Sequence, residues 1–338
     1  MKERIPETSL PKQQLSLIDA IALIVGIVIG AGIFRTPSLV AANTSNDTQF
    51  LLAWILGGVV SLIGALCYAE LTTAFPNTGG DYHFLRKAYG KQPSFLFAWA
   101  RMSVIQTGSI ALLAFIFGDY FTQIYSLGEF SSVIYAALVV IIMTAINIAG
   151  VKMGTGAQKM FTIAEVSGVM IIVAAGLFFA PAPVETLSTV PATASTVGSA
   201  GSFIGLAMVF VLLTFGGWNE AAYISAELKS GHNRMVKALI ISLVIITLVY
   251  LLINIAFLKA LGHQAMAQSD AVGVDLMRIV WGPAGVWLIS LLVAISALTS
   301  VNATIFTGAR TNYALGEDYK MFSMLGKWSS RASGPVNA

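Results

Sequence analysis

The chain has 338 residues, 57% of them hydrophobic and 10% charged, with a formal net charge of +3 and a mean hydropathy of +0.80. That mix excludes an ordinary soluble domain and marks a membrane protein. The isoelectric point near 8.9 follows from charge placement around membrane spans and implies no nucleic-acid partner.

A bilayer core about 30 Å thick takes roughly 20 helical residues to cross. Eight segments of that order follow one another: residues 17–42, 51–75, 95–121, 132–150, 158–180, 203–227, 236–260 and 284–310. Lys2, Arg4 and Lys12 precede the first, as in a signal peptide, but seven spans follow and no small-residue cleavage site interrupts it. The single cysteine, Cys67, lies in span 2 and excludes an intrachain disulfide. With the N-terminus inside, sixteen Lys and Arg gather on the inner side, against Arg35, Lys259 and Arg278 outside. This asymmetry predicts a multi-pass protein of the cell membrane with both termini cytoplasmic. The expected layout is a cytoplasmic segment (1–16), spans 1–5 (17–180), a solvated outer loop (181–202) with one acid at Glu185, spans 6–8 (203–310) and a cytoplasmic segment (311–338).

Span 1 contains VGIVIGAGIFRTP, Val25 to Pro37. Gly26 and Gly30, four residues apart, suit close approach of a neighbouring helix. Gly30-Ala31-Gly32 in mid-span, with Pro37 beyond, instead concentrates poor helix formers where an unbroken ladder is expected, and predicts a break. Unwound backbone at that depth is tolerated only where it is buried in protein or lines a cavity. The outer half-helix, starting near Gly32 and Ile33, would offer N–H groups to a carboxylate; the inner one, ending near Val28 and Ile29, would offer carbonyls to an ammonium.

Span 6 makes the same argument in LLTFGGWNEAAYISAE, Leu212 to Glu227, where Gly216 and Gly217 interrupt the helix beside Trp218, Asn219 and Glu220. Gly-interrupted helices at corresponding places in two halves point to a secondary transporter built from inverted repeats. The fold class expected is therefore all-α, polytopic and broken-helix, with five-helix inverted repeats of which the second is incomplete. The competing reading is a glycine-packed helix with an interfacial Trp, but Asn219 and Glu220 inside the span need partners.

VGIVIGAGIF in span 1, CYAELTTAFPNTGGDYHFLRKAYG from Cys67 to Gly90, and FGGWN from Phe215 to Asn219 together resemble the amino acid–polyamine–organocation superfamily, especially its L-type exchanger and bacterial amino acid permease branch. The resemblance runs from about Leu15 to the end, and the Pro76 to Tyr82 run is its most specific part. It implies amino acid transport, with the substrate α-carboxylate on N–H groups around Gly30, Ala31 and Gly32. The α-ammonium would meet carbonyls near Val28, Ile29, Leu213 and Gly216. Phe215 and Trp218 would close over the ligand, and Gly217 and Asn219 complete the expected set. Superfamily members usually continue beyond an eighth span, so the chain is expected to be a piece of a longer permease whose full length supplies the missing helices.

Glu165 in span 5 aligns with a position where many relatives carry a lysine. As a proton carrier, or as part of a cation site with Ser300 or Thr304, it is a coupling candidate; a neutral acid bonded between helices is the alternative. Glu220 is a second candidate, and would equally suit the amine of a polyamine or cationic amino acid.

The remaining charges read as ordinary. Glu70 and Asp81 pair with solvated neighbours such as Arg86 and Lys87, Arg101 snorkels to the interface, and Asp19 sits at a helix start that favours an anion. His83, His232 and His263 form no metal-ligand cluster. No nucleophile with a base, paired catalytic carboxylates or phosphate-binding loop is found, so no cofactor is expected. A channel would need a ring of repeated polar residues and an enzyme a clustered constellation. Transport, by exchange or proton coupling, remains, with a proton or counter-substrate as partner beside the amino acid and lipid. Gln106, Thr107, Gly108 and Asn302 are the expected remainder of the pocket wall.

Overall fold

The computed structural model describes residues 15–181, 200–228, 232–329 and 332–338. The N-terminal segment through residue 14, most of the 181–202 loop including Glu185, and Lys229 and Arg331 lie outside the described residues. The described chain is helical, with two isolated bridge pairs and no extended strand.

Span 1 is split. Helix α1 (Leu17–Val28) starts at a capping box in which Ser16 and Asp19 each accept from the other's backbone N–H, and Lys159 pairs with Asp19 at 2.9 Å. A 3-10 turn (Ala31–Phe34) follows, then α2 (Thr36–Ala42), where Pro37 occupies a first-turn position that has no intrahelical acceptor to lose. Span 2 is α3 (Asp47–Ala74), capped by the Asn46 side chain. A short helix α4 (Asp81–Tyr89) precedes α5 (Lys91–Ala100), a π turn (Arg101–Ile105) and α6 (Gln106–Ile124), which together make span 3. Spans 4 and 5 are α7 (Ser131–Ala149) and α8 (Val151–Ala174), the latter extended by a π turn (Ala175–Phe179).

Span 6 is also split, into α9 (Ala200–Phe215) and a 3-10 segment (Trp218–Glu227). Helices α10 (His232–Leu261), α11 (His263–Gln268) and α12 (Val272–Asp318) complete the chain. Gly282, with φ 57 and ψ −138, and Pro283 kink α12, so span 8 proper begins after the kink. The helix then runs on to Asp318, with Thr311 and Leu315 buried, so the first part of the 311–338 segment is helical.

Seven of these helical stretches are long and apolar enough to cross a membrane. The expected eighth, span 1, fails that measure because its continuous helix is only 12 residues long. The core is built from α1, α3, α8, α9, α10 and α12, while α6 and α7 pair against α12. Leu112, Ile141 and Ile163 on the outside are more than half exposed, as apolar side chains are where lipid replaces water.

Gly26 is the close-approach point of α1. A Cβ there would overlap the side chains of Thr162 on α8 and Thr299 on α12, whereas Gly205 on α9 faces open space. Gly26→Val is expected to lower the melting temperature in detergent, by about 1–3 kcal/mol of overpacking, and Gly205→Ala to leave it unchanged.

Candidate functional site

The two interruptions lie against each other. The side chains of Ile27 and Val28 approach Gly217, whose φ of +111 is a left-handed conformation that disfavours any residue with a Cβ. At the first interruption, Ile29 N–H still reaches Val25 O at 2.8 Å, but Gly30 N–H turns back to Val28 O at 2.8 Å and the i to i−4 ladder ends. Among the described residues no backbone carbonyl accepts from the N–H groups of Ala31 and Gly32. At the second, Gly216 N–H bonds Leu213 O at 3.1 Å and Glu220 N–H bonds Gly217 O at 3.0 Å, while the N–H groups of Gly217, Trp218 and Asn219 likewise have no backbone acceptor. Each interruption thus presents a carbonyl-rich helix end, partly negative, beside a set of free donors, partly positive.

Tyr250 on α10 ties the two carbonyl ends together. Its hydroxyl lies 2.6 Å from Val28 O and 3.0 Å from Thr214 O, one proton shared between the ends of α1 and α9. The ring is held by Trp54 at 5.6 Å and Phe215 at 5.0 Å between centroids. Ser296 on α12 adds a hydrogen bond to Ile29 O at 3.3 Å. Sequence reasoning passed over Tyr250, although a phenol inside the aliphatic run of span 7 needs an acceptor, which is the signal that would have found it.

The expected site residues take different places around this pair. Gly30 and Ala31 are half-buried and Gly32 is exposed; Val28 and Ile29 are buried, with both carbonyls already accepting. Gly217 and Asn219 are half-buried and Gly216 is exposed. The Leu213 carbonyl accepts from Gly216, and its side chain is 71% exposed on the outer surface. Phe215 is fully buried between Trp54 and Tyr250, and Trp218 packs edge-on against Tyr68 at 5.2 Å. Of the expected pocket wall, Thr107 and Gly108 are exposed, and Asn302 is committed to Asn147, Gly154 and Gln158 on α7 and α8.

Glu165 is buried on α8, and neither carboxyl oxygen has a hydrogen-bond partner. Its neighbours are the hydroxyls of Ser296 and Thr299, in place of the expected Ser300 and Thr304, because α12 turns that face toward α8. Both hydroxyl protons are spent elsewhere, on Ile29 O and Ile295 O.

Two other charges depart from expectation. Arg101 does not snorkel: it is 5% exposed, and its Nη2 lies 2.7 and 2.8 Å from the two carboxylate oxygens of Glu220. Glu220 is therefore occupied by the chain's own guanidinium, which removes it as a free partner for a substrate amine. Asp81 is not solvated but accepts from the Tyr223 hydroxyl at 3.0 Å. Burial pushes its carboxyl above the ordinary carboxylate range, and the nearby Glu220 adds to this against the Tyr223 and Tyr68 hydroxyls and the Arg101 charge. Glu227, at the end of the 3-10 segment, forms a buried pair with Arg310 of α12.

The amino acid permease family matches residues 15–338. The chain belongs to that family. It is 34% identical to the mouse b(0,+)-type amino acid transporter 1 over 337 residues, which is 98% of this chain and 68% of that protein. The human counterpart is 33% identical, over 98% of this chain and 69% of its own length. The mouse large neutral amino acids transporter small subunit 2 is 29% identical, over 97% of this chain and 62% of that protein. Among solved structures, the fold matches a substrate-bound, outward-open Na+-coupled sialic acid symporter with a TM-score of 0.64. The match covers 98% of this chain and 72% of that one at 13% identity, a likeness of fold alone. This permease is a multi-pass membrane transporter of the L-type exchanger branch, not an enzyme.

Tyr250→Phe keeps the ring and removes the proton shared by Val28 O and Thr214 O. A fall in the detergent melting temperature equivalent to about 1 kcal/mol is expected for the lost hydroxyl bonds, with Tyr250→Leu falling further as the contacts with Trp54 and Phe215 go.

Proposed function

We propose that this permease carries α-amino acids by alternating access, with the zwitterion held on main-chain groups of the two interrupted spans. The α-carboxylate is received by the free N–H groups of Ala31 and Gly32, and the α-ammonium by the carbonyl ends near Val28, Ile29 and Gly216, beside Gly217 and Asn219. The observation that carries this reading is the pair of adjoining interruptions, each with unpaired donors beside a helix C-terminus. Uncompensated polar backbone inside a membrane protein is costly unless a ligand or cavity serves it, and an amino acid brings both charges that these ends complement. Ammonium binding would compete with the Tyr250 hydroxyl for Val28 O, so occupancy of the site and the tie between α1 and α9 are exchanged.

Spans 1–5 and 6–8 are taken as one full and one partial inverted repeat, with eight crossings once span 1 is counted and both termini cytoplasmic in the cell membrane. In the full-length protein, thermal shifts in detergent are expected with free α-amino acids and not with their N-acetyl or amide derivatives. Equal shifts from the blocked derivatives, or none from any amino acid, would sink the main-chain recognition.

For coupling, the buried carboxyl of Glu165 on α8, beside the hydroxyls of Ser296 and Thr299, supports proton carriage. In liposomes, Glu165→Gln is expected to abolish uptake driven by a pH gradient while counterflow of the same amino acid persists. Unchanged gradient-driven uptake would rule that role out.

A further inference from the structure

We propose that a groove between α3 and α10 holds one acyl chain of a phospholipid, so that the bilayer itself completes the packing of these two spans. The site is separate from the two interruptions and does not depend on what the permease carries.

Gly58 of α3 and Thr247 of α10 meet closely, since a Cβ on Gly58 would overlap the Thr247 side chain. Around that contact lies a groove of about 190 Å³, with Ile55 and Val59 on one rim and Val244 and Leu248 on the other. These four side chains are 41–56% exposed, and Thr247 is the one lining residue with a polar side chain. Trp54 lies one turn before Gly58 and Tyr250 one turn after Thr247, and their rings pack at 5.6 Å between centroids. A chain seated in the groove therefore braces α3 against α10 beside the cluster that holds the Tyr250 phenol.

Depth and size decide the occupant. Gly58 is about 17 Å from the start of α3 and about 24 Å from its end, and Thr247 is about 20 Å from either end of α10. Both helices are long and apolar enough to cross a membrane, so the groove opens at a depth where neither water nor headgroups reach and only hydrocarbon is present. An apolar cavity of about 150 Å³ stays dry and accepts a benzene ring, and a groove of this size and lining likewise takes hydrocarbon. Left empty, its walls would forfeit their dispersion contacts. Another helix, about 10–12 Å across with its side chains, is too wide to seat in it. A single hydrocarbon chain is not.

The test uses the full-length protein in nanodiscs of dioleoylphosphatidylcholine containing a phosphatidylcholine with a mid-chain diazirine, the adducts being mapped by peptide mass spectrometry. Labelling of residues 55–62 and 243–248 is expected to exceed that of the lipid-facing stretch 138–142 of α7 by about fivefold or more. Val59→Phe combined with Val244→Phe fills the groove from rims that are not buried, and should bring the excess down to the α7 level in a protein that still melts cooperatively. Labelling equal to that of α7 would mean ordinary lipid contact and overturns the proposal, as does an excess that survives the filling, or no label because the rest of the full-length chain covers the groove. A second measurement needs no variant: in diphytanoylphosphatidylcholine, whose methyl-branched chains are too thick for the groove, the wild type is expected to melt below its temperature in the dioleoyl lipid and to lose the excess labelling. Equal melting and equal labelling in the two lipids overturn the proposal even if the double variant does not fold. None of these outcomes touches the main-chain site, which is tested by the thermal shifts with blocked and free amino acids.

Discussion

Everything in this fold is arranged around peptide groups that two membrane helices leave without their own partners. Away from water such groups must be served by another part of the protein or by a ligand. The hydroxyl of Tyr250 serves two at once, Val28 O and Thr214 O, and so joins the ends of α1 and α9 across a single proton. Because both acceptors share one donor, the ends of α1 and α9 are coupled through a single hydroxyl. The aromatic neighbours Trp54 and Phe215 fix the phenol, so the sharing depends on the packing of α3 and α9 as much as on α10.

Next to these main-chain groups the protein keeps its buried charge in pairs. The 3-10 segment Trp218–Glu227 begins with Glu220 against Arg101 and ends with Glu227 against Arg310. Two acids on one short segment thus tie span 6 to spans 3 and 8, and Leu15 N–H adds a bond to Glu227 O at 3.0 Å from the start of span 1. Breaking either pair would strand a charge in a low-dielectric setting, which costs far more than the pair itself gains over an apolar pair.

The likeness of fold to a symporter of 13% identity shows how little side-chain identity this architecture requires. Glycine at the interruptions and small residues at crossings such as Gly26 supply the geometry, and apolar side chains of many kinds satisfy the lipid-facing surface. Chemistry is then added at isolated positions. Glu165, buried on α8 beside Ser296 and Thr299, is the position proposed for coupling.

Helix positions and both interruptions were legible in the sequence, because hydropathy over twenty residues and Gly-Ala-Gly or Gly-Gly in mid-span report local backbone cost that no tertiary contact can hide. The family was legible for the same reason, carried by VGIVIGAGIF, FGGWN and the Pro76 to Tyr82 run. What the sequence could not determine was partnership across the bundle. Arg101 read as an interfacial cation and Asp81 as a solvated acid, yet one is clamped to Glu220 and the other bonded to Tyr223. Tyr250, 222 residues from Val28, went unnoticed. Span periodicity says which face of a helix is apolar, but rotation about its axis and the helix it meets are fixed only by packing. That is why α12 offers Ser296 and Thr299 to Glu165 where sequence reasoning expected Ser300 and Thr304.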